Sequence, residues 1–280
     1  MAEGKCEWAR VTKRKPSFRR AVDQCPPALY TDHRMPPDHL MLDWSKLTDA
    51  YGPATEVPRL LAALDPDPAA DVWGELTARL CHQGSINSAS YPALPYLLAA
   101  AEQWPPSARV TPLCLAASIL ASQDVVAEVR AKYGATHAAL LQLTAETVDA
   151  PSLSQEDIIW LQQAYLLLSG ERVWGPGWDR VLEGELTGGC PACGEDLYLV
   201  IGDADCFTTR EDWINGKETA RAAIVAAAPE LLPWPGDWLL DTAKRHGDPL
   251  LQRRVLHAFG TSACPCCGAH FALGDALSSR

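Results

Sequence analysis

The chain has 280 residues, 48% of them hydrophobic, a formal net charge of −11 and a mean hydropathy of −0.09. That is the composition of a globular protein with material for one large domain or two small ones, and no apolar run approaches the roughly 18 residues of a membrane span. An acidic body also repels a phosphate backbone unless a basic patch offsets it, which argues against a nucleic-acid partner.

The charge is unevenly spread. Residues 1–40 carry eight Lys/Arg against five Asp/Glu, a net of +3, which leaves −14 for residues 41–280. The run from Lys13-Arg14-Lys15 to Arg19-Arg20, followed by Pro26-Pro27 and Pro36-Pro37, has neither helical nor strand period. Residues 1–40 are therefore expected to be a disordered, basic, solvated tail. Met35 and Met41 would both serve as starts for an ordered chain opening at Leu42-Asp43-Trp44. The basic N-terminus lacks the apolar core of a secretory signal, and a cytoplasmic location is expected.

From residue 43 to about 184 the pattern predicts successive helices. Val57, Leu60, Leu61 and Leu64 share one helical face, and Asp65-Pro66-Asp67-Pro68 ends that helix and starts the next. The second helix carries Val72, Leu76 and Leu80 and is expected to close near Gly84 in a left-handed cap. A third follows Ser88 or Ser90 as cap, with Tyr91, Leu94 and Leu98 inward and Pro95 as a kink or its true beginning. After the break at Trp104-Pro105-Pro106-Ser107, helices are expected over 109–122, 124–132, 136–148 and 154–169. Ser154 caps the last of these, with Glu156 and Asp157 in its first turn and Ile158, Leu161, Tyr165 and Leu168 inward. Paired helices at this spacing point to a helical bundle or a HEAT-type solenoid over residues 41–186.

The character changes after Trp174-Gly175-Pro176-Gly177-Trp178 and a short helix to Leu186. Cys190-Pro191-Ala192-Cys193-Gly194 and Cys264-Pro265-Cys266-Cys267-Gly268 are near-copies of one C-x-x-C-G knuckle. β-rich stretches follow each, Leu197–Ile201 and His270–Leu273. Cys190, Cys193, Cys264 and Cys267 supply four thiolates, the full set for one closed, tetrahedral, structural Zn²⁺ site in a zinc ribbon over residues 187–275. Cys266 could replace Cys264 or Cys267, but the C-x-x-C spacing is what fits a knuckle, and Cys266 is read as a bystander. Seventy residues lie between Cys193 and Cys264. They include an alanine-rich stretch at 217–228 and helical patterns at 229–246 and 248–258. A helical insertion at about 205–259 is the expected filling, clamped at its ends by the ribbon.

The other cysteines, Cys6, Cys25, Cys81, Cys114 and Cys206, are scattered, and a chain this rich in alanine and leucine has no need of disulfide staples. Cys81 and Cys114 lie in apolar helical patterns and are expected to be buried free thiols. No catalytic constellation emerges. Cys81 and His82, neighbours on a helix, would point about 100° apart. Asp203, Asp205, Glu211 and Asp212 form an acidic cluster without a partner histidine, expected to be a solvated loop. Trp174, Trp178, Trp234 and Trp238 flank the insertion, where they would pack it or anchor a partner.

The stretches Asp43-Trp44, Ala50-Tyr51-Gly52-Pro53-Ala54-Thr55, Val57–Leu61, Cys81-His82-Gln83-Gly84-Ser85, Ala89–Ala93 and Pro95–Leu98 resemble the opening of bacterial HEAT-repeat-containing proteins of uncharacterised function. Some of those proteins carry a similar C-terminal ribbon, and the resemblance spans most of residues 43–275. Cys81 stands where they often have tryptophan. The resemblance implies an adaptor or immunity-type scaffold and supplies no catalytic residues.

The sequence thus predicts a mainly α chain: a HEAT-like α-solenoid of helical pairs with a small C-terminal four-cysteine zinc ribbon interrupted by a helical insertion. The function expected is non-enzymatic binding of a protein partner, a basic one suiting the acidic body, with no membrane association. The alternatives are a zinc-ribbon nucleic-acid binder using the basic tail and a modifying enzyme on a HEAT scaffold.

Overall fold

A computed structural model describes residues 42–122, 127–211 and 220–279. The expected basic tail, Cys6, Cys25, Met35, Met41 and Asp212 lie outside them. The chain divides into two compact units, residues 1–140 and 141–280, so the boundary expected at 186 falls inside the second unit. Ten α-helices are joined by small antiparallel sheets among the described residues, and the fold is only partly α.

In the first unit, a 3-10 turn at Trp44–Lys46 is capped by Asp43, whose carboxylate accepts from the Ser45 N–H. Strands β1 (Thr48–Asp49) and β2 (Gly52–Pro53) form a tight hairpin with Tyr51 at its tip. Helix α1 (Val57–Ala62) buries Val57, Leu60 and Leu61, as their spacing predicts. The Asp65–Pro68 turn closes on itself: Asp65 accepts from the Asp67 N–H and Asp67 from the Ala69 N–H. Helix α2 (Asp71–Leu80) buries Trp73, Leu76 and Leu80. The Trp73 indole N–H reaches back to the Asp65 carbonyl at 2.9 Å, tying helix to turn.

Helix α2 stops at Leu80, four residues before the expected cap. Strands β3 (Cys81–His82) and β4 (Ser85–Ile86) pair there instead, so Cys81 and His82 lie on a strand and not a helix. The turn between them has Gln83 at φ 52° and Gly84 at φ 83°. A two-residue hairpin needs both central residues left-handed, which is the use made of Gly84. Helix α3 (Ser90–Gln103) continues through Pro95. Ser90 does not cap it by its side chain; its hydroxyl accepts from the Asn87 N–H and donates to the Leu80 carbonyl, linking α3 to the end of α2. Helix α4 (Pro106–Ala121) packs against α3, and Leu94, Leu97, Ala101, Leu113, Ala116 and Ala117 form the fully buried centre of this unit. Helices α5 (Ala127–Lys132) and α6 (Gly134–Thr147) follow.

In the second unit, which begins within α6, helix α7 (Gln155–Leu168) has the predicted Ser154 cap and a full capping box with Asp157. Ile158, Leu161 and Leu168 are buried as expected, whereas Tyr165 is half-buried and stacks on Trp238 at 4.3 Å between centroids. The expected short helix to Leu186 is a 3-10 turn, Trp178–Leu182, and Leu186 itself lies on a strand. Trp178 is fully buried, its N–H bonded to the Gln162 side-chain carbonyl at 2.9 Å. Strands β5 (Glu185–Gly189), β6 (Asp196–Ile201), β7 (Cys206–Thr209) and β8 (Arg221–Ala223) make an antiparallel meander in chain order.

The insertion is therefore not helical throughout. Its first part, including the alanine-rich stretch, supplies β7 and β8. β8 is Arg221-Ala222-Ala223, whose two alanines favour a helix in isolation, so local propensity was outvoted by pairing with β7. Residues 224–235, where a helix was expected from 229, hold a 3-10 turn at Pro229–Leu231, and the helices α8 (Gly236–Arg245) and α9 (Pro249–Ala258) then pack together, with Asp248 capping α9 through the Leu251 N–H as predicted. Strands β9 (Thr261–Ala263) and β10 (His270–Ala272) form a second hairpin, and α10 (Leu273–Ser278) packs on β5.

Candidate metal centre

Each knuckle is the turn of a hairpin. Residues 190–195 join β5 to β6, and residues 264–269 join β9 to β10. The two turns have the same wiring. The Cys190 N–H donates to the Glu195 carbonyl at 2.8 Å and the Gly194 N–H to the Cys190 carbonyl at 2.9 Å. In the second, the Cys264 N–H donates to the Ala269 carbonyl and the Gly268 N–H to the Cys264 carbonyl, both at 2.9 Å. Gly194 and Gly268 share a φ of 75°, left-handed backbone that a side chain disfavours, which is why the motif repeats its glycine.

This wiring brings four sulfurs together. The Sγ atoms of Cys190, Cys193, Cys264 and Cys267 all lie within 4.8 Å of one another. Across the knuckles, Cys190 and Cys267 are 3.8 Å apart and Cys193 and Cys264 are 3.9 Å apart. A tetrahedron with metal–sulfur bonds of about 2.3 Å has edges of about 3.8 Å, so the donor set matches a single thiophilic ion. Disulfide sulfurs would be about 2.05 Å apart. Cys190 and Cys264 are buried while Cys193 and Cys267 are exposed, so the cluster has one inner and one outer thiol per knuckle.

The backbone is arranged for thiolates. Burial opposes ionisation of Cys190, yet the N–H groups of Cys193 and Ala192 and the neighbouring Cys193 and Cys264 thiols outweigh it and lower its pKa to about 7. At Cys193 the Glu195 N–H favours the thiolate, but burial and the thiols of Cys267, Cys190 and Cys264 prevail and push it up to about 12. Burial also raises Cys264. One negative charge is thus readily accommodated and further ones repel each other, the condition that a bound cation relieves. The four cysteines fit a metal ion on geometry and on donor chemistry. Cys266 is exposed, and its N–H donates to the Cys264 sulfur at 3.4 Å while its own thiol stays outside the cluster, as the spacing argument expected.

Two residues beside the cluster went unnoticed in the sequence. Glu195, next after the first knuckle's glycine, accepts from the Arg210 Nε at 2.6 Å. Arg210 follows β7, and hydrogen bonding to Glu195, then the nearby charges of Glu195, Cys266 and Cys264, raise its pKa. No sequence period marks either residue; only the hairpin register brings them to the site.

The other features singled out in the sequence have structural explanations. Asp203 is not left in solvent alone: its carboxylate pairs with the buried Arg254 at 2.8 Å, while Arg253 donates to the carbonyls of Gly202, Asp203 and Ala204. Two guanidinium groups thus fasten the β6–β7 turn. His82 meets the Tyr51 ring edge-on at 6.1 Å, and the Arg79 guanidinium lies 5.5 Å over the same ring. Arg79 in turn pairs with the buried Asp49 at 2.8 Å, so the two sequence motifs that carry Tyr51 and His82 meet at one point. Trp174 stacks on Phe259 at 4.2 Å, which makes it and Trp178 packing residues, whereas Trp234 is half exposed.

Scanned against protein-family models, curated proteins and solved structures, the chain matches none of them. The metal centre accordingly rests on its own geometry. No helix among the described residues is long and apolar enough to cross a membrane.

Proposed function

We propose that the chain is a non-enzymatic protein-binding scaffold, of adaptor or immunity type, in which Cys190, Cys193, Cys264 and Cys267 hold one structural Zn²⁺. The carrying observation is the closed donor set: four sulfurs at tetrahedral spacing leave no position for a water or substrate on the metal. The ion supplies a cross-link between two hairpins and cancels thiolate repulsion. The helical pairs α1 with α2 and α3 with α4 support a HEAT-like framework.

Binding is supported by the surface. Val225, Leu231 and Trp234 are 65%, 77% and 49% exposed on one short connecting segment. Glu230 and Asp237 flank them, and residues 141–280 carry twenty Asp/Glu against ten Lys/Arg. Exposed apolar side chains on an acidic segment suit a basic protein carrying an apolar anchor. The partner would thus be basic, in a cytoplasmic, reducing setting where the thiolates persist.

The test compares the zinc-loaded chain with its Leu231→Ser/Trp234→Ala variant as baits at near-physiological salt. A basic protein retained by the first and lost from the second supports the reading. Recovery of no protein, or equal recovery by both, sinks it.

A further inference from the structure

Two knuckles reach one ion only if their hairpins keep a fixed register, because metal–ligand distances tolerate only about ±0.2 Å. Among the described residues, one backbone bridge joins β9 to the segment after β8. Thr261 donates to the Val225 carbonyl at 3.0 Å and its carbonyl accepts from the Val225 N–H at 2.8 Å. Thr261 is the first residue of β9, and Cys264 follows its last. A bridge at one point is a hinge. In an antiparallel strand, alternate residues turn their N–H and C=O to the same side. Ala263 therefore turns its carbonyl to the side on which Thr261 meets Val225, directly before the ligand.

There a side chain takes the place of a backbone partner. The Thr208 hydroxyl lies 3.0 Å from the Ala263 carbonyl and 3.0 Å from the Ser262 hydroxyl. The Ser262 hydroxyl lies 3.1 Å from the Ala223 carbonyl and 3.3 Å from that of Ala222. Each hydroxyl has one hydrogen to donate, and donation by Thr208 to Ala263 and by Ser262 to Ala223 uses both on contacts with β9 or from it. Thr208 and Ser262 are both buried, so water competes poorly for these groups. Thr208 is itself fixed by the sheet, opposite Leu199 on β6, the strand that leaves the first knuckle. Position thus passes from the first knuckle along β6, across to Thr208, and through Ala263 to Cys264, whose sulfur lies 3.9 Å from that of Cys193.

We propose that Thr208 and Ser262 are the positioning residues of the metal centre: a buried hydroxyl pair that holds the second knuckle in register with the first. This rests on the metal-site reading above and extends it beyond the four ligands. Neither residue touches the metal. They act on the backbone beside Cys264, and without them the hairpin pivots on the Val225–Thr261 bridge. A merely structural hydroxyl pair would stabilise the unit without changing how tightly zinc is held. Thr242 on α8 is the comparison, fully buried in the same unit with its hydroxyl 2.9 Å from the Trp238 carbonyl of its own helix.

The experiment titrates EDTA against the full-length, zinc-loaded chain and reads the zinc retained. Thr208→Val keeps the side-chain shape and Ser262→Ala removes the partner; each is expected to weaken zinc binding about tenfold, the lower end of the ~10–100-fold losses seen when supporting residues of metal ligands are removed. Thr208→Ser restores the hydroxyl and should stay within about threefold of wild type. Thr242→Val should lower the Tm and leave zinc affinity at the wild-type value. In the cobalt-loaded Thr208→Val chain, the S-to-Co²⁺ charge-transfer bands should persist while the ligand-field bands shift, as they do when four ligands remain in a distorted tetrahedron. Should Thr208→Val not fold, Ser262→Ala is read alone by the same limits. Wild-type affinity in Ser262→Ala, Thr208→Ser as weak as Thr208→Val, or an equal loss in Thr242→Val would overturn the assignment while leaving the metal site standing. A wild-type chain that binds no metal would overturn both.

Discussion

The helices of the first unit and the hairpins of the second are fastened by different means. Between residues 57 and 120 the chain closes over leucines that are almost fully buried, among them Leu60, Leu61, Leu76, Leu80, Leu94, Leu97 and Leu113. Burying each such side chain contributes roughly 1.5–3 kcal/mol. The β9–β10 hairpin has three-residue strands and buries little besides Ser262, Cys264 and Phe271. A two-stranded hairpin of that size is marginal alone in water. Where apolar area is scarce, a metal cross-link between hairpins is the available substitute. The four sulfurs thus join this thinly buried hairpin to β5–β6, where Leu197, Leu199, Val200 and Ile201 are almost fully buried.

Substitutions on the two sides should therefore separate. The largest effect belongs to the ligands. Cys264→Ser should abolish stoichiometric zinc and remove a stabilising term on the order of 10 kcal/mol from the ribbon. Amide exchange should then accelerate across residues 185–201 and 261–272 and stay unchanged over 57–120. Equal acceleration in both regions would show one shared core and contradict the contrast. Next in size, Leu76→Ala should cost about 2–5 kcal/mol through lost burial and a cavity, with zinc content unaltered. A drop in zinc content in that variant would mean that the two modes of fastening are not separate.

A smaller effect belongs to the second unit alone. Burial holds the Asp179 carboxyl above its ordinary value, against the opposing pull of Arg180 and Gln163. A raised folded value means that the unfolded chain releases its proton first. Stability from this group is therefore present below the unfolded value near 3.8 and is lost as pH rises to the folded one. Asp179→Asn should raise the Tm slightly at pH 7 and flatten its dependence on pH above the unfolded value near 3.8. A lower Tm at pH 7 would mean that the carboxylate makes a net favourable contact.

The four ligands were legible in the sequence because a knuckle is local: cysteines, proline and glycine recur at fixed offsets, and each offset has a mechanical cause. The helices α1, α2, α7 and α9 were legible for the same reason, through periodic leucines and through Ser154 and Asp248 as caps. Pairing was not. The β3–β4 hairpin was hidden because Cys81 and His82 read as the last turn of α2 before Gly84, and nothing local marks Cys81 as extended. Strand β8 hid in the alanine-rich stretch, where nothing local marks Arg221-Ala222-Ala223 as extended and only pairing with β7 does. Arg210 and Glu195, fifteen residues apart across a strand turn, have no sequence signature, because register alone joins them. Tyr51 and His82 likewise meet only through two hairpin turns.

Elemental analysis joined to native mass spectrometry of the reduced, full-length chain reads the metal site itself. One zinc ion per chain, lost together with the four-cysteine set in the Cys190→Ser/Cys264→Ser variant, is the predicted result. A chain that carries no metal when prepared in zinc-replete medium, or that retains its zinc after both cysteines are replaced, would contradict it.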